Sequence, residues 1–171
     1  EYSRVATTSG LSGKEIAEKM LFDNGISDVK VVSVPGKLTD HYNPEDKTIN
    51  LSPDVYQGRH VSAAAVAAHE CGHALQHAQA YQWLQVRSQM VPIVNFSGTM
   101  MNTIFILGFL GAGVLHMFSF YHMIMAIIFF QAMITIFSLI TLPVEFDASR
   151  RALVWLKSSN ITNDRELVMA E

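Results

Sequence analysis

From Ser88 to Val144 the chain carries no Asp, Glu, Lys or Arg, 57 residues in succession, and this run constrains everything around it. A helix needs about 20 apolar residues to cross the hydrocarbon of a bilayer. Two stretches reach that length, "NTIFILGFLGAGVLHMFSF" and "MIMAIIFFQAMITIFSLITLP". Buried helices of a soluble core normally keep a charged face, and neither stretch has one. The run therefore reads as two membrane-spanning helices joined by the short segment "FSFYH". Gly108, Gly111 and Gly113 would let the first span approach its partner closely. Arg87 precedes the first span, Arg150, Arg151 and Lys157 follow the second, and the connecting segment has no lysine or arginine. The positive-inside rule then places both flanks on the cytoplasmic side.

Outside that run the sequence is of ordinary mixed charge. A net charge of −3 without a basic cluster gives no sign of a nucleic-acid partner. Cys71 is the single cysteine, so there is no disulfide framework. Ser12, followed three residues later by Glu15, is a capping box that opens a helix over "GKEIAEKMLFD", and Gly25 supplies its stop. "VKVVSVPG" reads as a strand ended by Pro35-Gly36. "LTDHYNPEDKTINLS" reads as a hairpin turning at Asn43-Pro44-Glu45-Asp46, its return strand placed as an exposed edge that could pair with an extended substrate. A long alanine-rich helix follows from Ser62. The chain begins without methionine and ends on an incomplete helical pattern, so we expect its natural ends to lie further out.

The alanine-rich helix holds "HECGHALQH". His69 and His73, four residues apart, lie about 40° from each other around a helix and one turn along it. From that face both imidazoles can reach one zinc ion. Glu70 completes H-E-x-x-H, in which the glutamate acts on a zinc-activated water. Two histidines and a glutamate inside the uncharged "SAAAVAAHECGHAL" would be costly without a partner to satisfy them. His77 is not the third ligand, because it lies about 12 Å along the helix from His69. The glycine turn by which metzincins return a third histidine is also missing. Cys71 points to the other side of the helix and reads as a small buried hydrophobe. Gly72 costs about 1 kcal/mol relative to alanine there, so something packs closely against it.

The third ligand must come from elsewhere. His41 and His60 are spare histidines, while His116 and His122 fall in the connecting segment on the opposite side of the membrane. Glu145 stands directly after the second span in "PVEFDASRRALVWL". It either snorkels to the interface or binds zinc, and two histidines with one glutamate would leave a fourth position open for water.

"VAAHECGHALQHA", "VPGKLTDHY" and "TLPVEFDASRRAL" together resemble the YugP-like neutral zinc metallopeptidases of bacterial membranes, over most of the chain from "SGLSGKEIA" to Leu156. The resemblance implies a gluzincin-type protease distantly similar to the heat-shock and prenyl-protein membrane proteases. In that wider group two membrane helices separate H-E-x-x-H from a helix bearing the glutamate ligand. Those positions fall on His69, Glu70, His73 and Glu145 here. It implies an α+β, zincin-like domain of a helix, a small β-hairpin or sheet and the H-E-x-x-H helix, with a two-helix transmembrane hairpin inserted. The parts would be a cytoplasmic half (1–87), the hairpin (88–144) and a cytoplasmic helix carrying the glutamate ligand (145–171). It also implies one Zn2+, peptide or protein substrates, and a bacterial plasma membrane with the active site facing the cytoplasm. Members are longer, with further apolar segments at both ends. The wider group places an aspartate four residues after the glutamate ligand, whereas this chain has Ser149 there and Asp147 two residues on.

The expected activity is that of a membrane-bound zinc peptidase, an endopeptidase, with Glu70 as base. Arg150, Arg151, His41 and Tyr42 are the candidate donors to the oxyanion, and Ser149 the candidate support for a ligand. The alternative is a zinc-binding membrane scaffold or regulator without chemistry, although such a protein would be expected to lose Glu70 first. A metal transporter would need more polar residues in its spans than Gln131 and Thr135. A protease cutting within the bilayer would need the motif inside a span.

Overall fold

A computed structural model describes residues 5–109 and 120–170. Helix α1 (Gly13–Asp23) begins at the expected capping box. The Ser12 hydroxyl accepts from the Glu15 N–H at 3.3 Å, and the Glu15 carboxylate accepts from the Ser12 N–H at 2.7 Å. Gly25, at φ +70°, supplies the left-handed residue that ends the helix.

Strands β1 (Lys30–Ser33), β2 (His41–Asn43) and β3 (Thr48–Leu51) form one sheet in the order β1-β3-β2. The hairpin is as expected, with β2 antiparallel to β3 and Tyr42 opposite Ile49. β1, however, runs parallel to β3, with Lys30 opposite Thr48 and Ser33 opposite Leu51. This overturns the expectation that "KTINLS" offers an exposed edge, because β3 is the central strand and is paired on both sides. The chain leaves β1, passes to the far side of the sheet as β2, and returns into the middle. The alternation of β3 explains why it belongs there. Ile49 and Leu51 are fully buried, while Thr48 and Asn50 face outward and stay half-buried.

A single turn with proline at its start, α2 (Pro53–Tyr56), leads into α3 (Val61–Ala78). The helix begins at Val61, one residue ahead of the expected Ser62, and its cap is His60. The His60 ring nitrogen Nδ1 accepts from the Ala63 N–H at 3.1 Å, with the Ser62 hydroxyl 2.8 Å away. Two long helices follow, α4 (Gln82–Phe109) and α5 (Phe120–Ser158), then the short α6 (Asp164–Ala170).

The chain divides into two compact units, one holding the described residues up to Tyr81 and from Glu145 onward, the other Gln82–Val144. The first is a mixed, helix-dominated body. Its core is made by Ile16 and Met20 of α1, Ile49 and Leu51 of β3, the alanines of α3, and Trp155 and Leu156 of α5. Small side chains along α3 allow α1 and α5 to lie close to it. The buried Trp155 indole N–H finds the Asp23 carboxylate at 3.1 Å, so this large side chain leaves no unpaired donor.

The second unit contains α4 and the first part of α5, where Phe96 and Phe130 meet edge to face at 6.2 Å. Both helices are long and apolar enough to cross a membrane, over Gln82–Leu107 and Tyr121–Ser158. Their most apolar stretches are almost entirely unburied within this chain, 6% and 0%. The first helix starts at Gln82, about one span-length ahead of Asn102 where the sequence reading placed it, and takes in "VPIVNFSGTMM". Phe120, Tyr121 and His122 of the expected "FSFYH" connection belong to α5. Gly111, Gly113, His116 and the end of the first expected span lie outside the described residues.

Candidate metal centre

Helix α3 carries His69 and His73 one turn apart, with ring centroids 4.8 Å apart and planes nearly perpendicular. Helix α5 brings Glu145 to them. Its Oε2 lies 3.2 Å from the Nε2 atom of His69 and 3.4 Å from that of His73. One donor atom from each of the three residues lies within 4.8 Å of the others. Gly72 makes the approach possible. A Cβ at that position would stand 2.5 Å from the Ala148 carbonyl oxygen and 3.0 Å from the Ala148 Cα. The glycine thus lets the α5 backbone rest on α3 next to both histidines, as its helix-interior cost had led us to expect.

The opposite nitrogens of both rings are also engaged. His69 Nδ1 meets the Ser149 hydroxyl at 3.1 Å, and His73 Nδ1 meets Gln76 Oε1 at 3.0 Å. Gln76 is fully buried, and its amide nitrogen donates to Asp147 Oδ2 at 2.9 Å. The same oxygen accepts from Arg151 Nε at 2.6 Å, and Arg151 also donates to Gln79 Oε1 at 2.5 Å. This chain fixes proton positions. A carboxylate only accepts, so the Gln76 amide turns its nitrogen to Asp147 and its carbonyl oxygen to His73. That oxygen also only accepts, so His73 carries its proton on Nδ1 and, when neutral, presents a bare lone pair at Nε2.

Two imidazole nitrogens and a carboxylate oxygen therefore converge where one cation could hold all three. Two borderline nitrogen donors and one oxygen donor form a set that suits zinc. The Glu145 side chain is 36% exposed and that of His69 26%, which leaves an approach for solvent or substrate. The residues fit the metal. With protons alone in the site, burial pulls the His73 imidazole down, but the Glu145 carboxylate, with Glu70, outweighs it and the net direction is upward.

Glu70 is buried beside the histidines, and its Oε2 accepts from the Tyr42 backbone N–H at 3.0 Å. Burial raises its carboxyl above the usual range, and the two histidines and the Tyr42 N–H offset part of that rise. The remaining candidates are spread out. The Tyr42 hydroxyl pairs with His77 Nδ1 at 2.8 Å, and His41 is exposed with Nδ1 against the Thr39 carbonyl at 2.7 Å. Arg150 is exposed, and Arg151 is committed to Asp147 and Gln79. Cys71 is fully buried against the Ala17 carbonyl, and burial pushes its thiol far up. Gln76 was missed by sequence reasoning. Its signal was a glutamine three residues after His73 on an alanine-rich helix.

The sequence model of a family described as "Putative neutral zinc metallopeptidase" matches residues 1–171. The chain belongs to this family. It is 43% identical over 166 residues to the "Putative membrane protease YugP" of Bacillus subtilis (strain 168), an alignment covering 97% of this chain and 71% of the relative. No solved structure matches. A zinc metallopeptidase family accounts for a two-histidine, one-glutamate donor set, and a relative named for a membrane accords with two apolar helices of spanning length.

Proposed function

We propose that the protein is a membrane-bound zinc peptidase of the gluzincin type, whose metal is held by His69, His73 and Glu145. The convergence of these three donors beside a buried glutamate carries the reading. Zinc bound there supplies Lewis acidity to a water molecule and to a peptide carbonyl. The Tyr42 N–H holds Glu70 by Oε2 and so orients Oε1 to take the proton as water adds to the carbonyl carbon. The same proton then goes to the amine nitrogen as the C–N bond breaks. Gln76 fixes the tautomer of His73, and Gln76 and Ser149 hold the orientations of the two imidazoles.

The apolar helices span the bilayer. The lysine and arginine flanks support a site at the cytoplasmic face of a bacterial plasma membrane, acting on peptide or protein segments. The deciding experiment compares cleavage of protein substrates by wild type and Glu70→Gln in detergent at equal zinc content. Cleavage by wild type alone supports the peptidase. One bound zinc in both proteins and cleavage by neither would leave a zinc-binding scaffold.

A further inference from the structure

The turn Gln79–Tyr81 follows α3 and folds back onto it. The Gln79 N–H donates to the Leu75 carbonyl at 3.0 Å, the Ala80 N–H to the His77 carbonyl at 3.1 Å, and the Tyr81 N–H to the Gln76 carbonyl at 2.9 Å. Ala80 stands at φ +52°, in the left-handed region that a residue with a Cβ enters only at a cost. Glycine is the usual residue at such a helix end, so local preference alone does not hold this turn.

Arg151 ties it from outside. Besides Asp147 and Gln79, its guanidinium meets Tyr81, the central carbon lying 5.8 Å from the ring centre, within cation–π range. These contacts close a ring. It runs from the Gln76 carbonyl to the Tyr81 N–H, from the Tyr81 side chain to Arg151, from Arg151 to the Asp147 carboxylate, and from there back to the Gln76 amide nitrogen. The Gln76 amide oxygen leaves the ring and meets His73 Nδ1. Gln76 is thus held through its backbone by the turn and through its side chain by Asp147, with Arg151 joining the two. A planar guanidinium with a fork of fixed donors can serve three such partners together, which an ammonium does poorly.

We propose that Arg151 is a positioning residue for the zinc centre, tying the turn Gln79–Tyr81 to the support of His73 so that zinc binding and closure of the turn stabilise each other. The proposal rests on the metal ligands named above and not on cleavage. Such coupling is reciprocal, so whatever factor zinc adds to closure, closure adds to zinc affinity. Gln82, the first residue of α4, directly follows the turn, so the tie ends where the first apolar helix begins.

The test reads zinc affinity by chelator competition, and hydrogen exchange of the Ala80 and Tyr81 amides with and without zinc, on the full chain in detergent. In wild type, zinc should slow exchange at both amides. Arg151→Lys keeps the positive charge beside Asp147 and gives up the fork, which separates the tie from the charge. It should lower zinc affinity about three- to tenfold, part of the worth of the lost stacking and hydrogen bond, and abolish the effect of zinc on exchange. Tyr81→Leu and Gln79→Ala should each lower affinity about twofold or more alone, and have little further effect in Arg151→Lys, where the tie is already gone. Thermal unfolding of the zinc-free forms controls for folding. Wild-type affinity in Arg151→Lys would overturn the proposal, as would losses that simply add in the paired variants or exchange in wild type that ignores zinc. Failure of the wild type to bind zinc would remove the metal reading and the proposal with it. The predicted affinities and exchange in a protein that cuts no substrate would uphold the tie and remove only the peptidase.

Discussion

Exchanging Gln76 and Asp147 tests the hydrogen-bond chain that holds His73. Gln76→Leu removes the acceptor of the His73 Nδ1–H, which leaves a donor unpaired in a region where Gln76 itself has no exposure. An unsatisfied buried donor costs about 1–3 kcal/mol. Without metal, the ring can turn or shift its proton to escape most of that cost. With metal, Nε2 is committed and the unpaired Nδ1–H must stay, so the penalty falls on binding. Zinc affinity should drop roughly 5- to 150-fold, in line with the 10–100-fold typical of lost supports to a metal-bound histidine. Gln76→Glu alone sets two carboxylates face to face where the 2.9 Å bond to Asp147 stood, and it should also bind zinc weakly. Adding Asp147→Asn restores a donor from position 147 to position 76, with Arg151 moving to the asparagine oxygen and the net charge unchanged. The double variant should recover at least tenfold in affinity over Gln76→Glu, a coupling of about 1.4 kcal/mol. Competition against a chromophoric chelator at fixed pH measures each affinity, and thermal unfolding of the zinc-free forms separates binding from folding. Wild-type affinity in Gln76→Leu, or no recovery in the exchange, would refute the argument.

Two further outcomes are expected. Gly72→Ala puts a Cβ 2.5 Å from the Ala148 carbonyl oxygen, so α3 and α5 must part by roughly 1 Å to reach ordinary contact. Zinc affinity should fall by tenfold or more, and activity by about a hundredfold, a displacement of this size being enough to misplace catalytic groups; calorimetric zinc titration at unchanged helix content checks it. For the membrane orientation, an alkaline phosphatase joined after His122 should be active in bacterial cells and one joined after Lys157 inactive, and the reverse pattern would invert the assignment.

The local signals in the sequence were strong where a single element carries them. The Ser12–Glu15 capping box, the Asn43–Asp46 turn, the close packing at Gly72 and the apolar run each depend on neighbours in the chain, and each is present in the structure. What depended on pairing was not legible. The position of β3 follows from the chain passing from β1 to the far side of the sheet as β2, and no residue within "KTINLS" records that. His60 acts as a cap because its ring folds back onto the Ala63 N–H, a role more often held by serine or aspartate. The support of the histidines was legible only in part. Ser149 stood out by its spacing from Glu145, whereas Gln76 becomes a support through Asp147, 71 residues away.

The spacing along α3 and α5 gives the reason these supports differ. Glu145 and Ser149 are four residues apart and fall on one face of α5, so the residue that aids His69 comes with the proposed ligand itself. Asp147 is turned well away from that face and cannot reach an imidazole directly. Gln76 bridges the gap from the other helix, one turn beyond His73, and Arg151, one turn beyond Asp147, anchors the far end. A neutral amide between the aspartate and the ring passes on orientation while keeping the second negative charge one side chain further from the metal. Since Glu145 already supplies a carboxylate to the donor set, the arrangement holds His73 in place without a further carboxylate in direct contact with its ring.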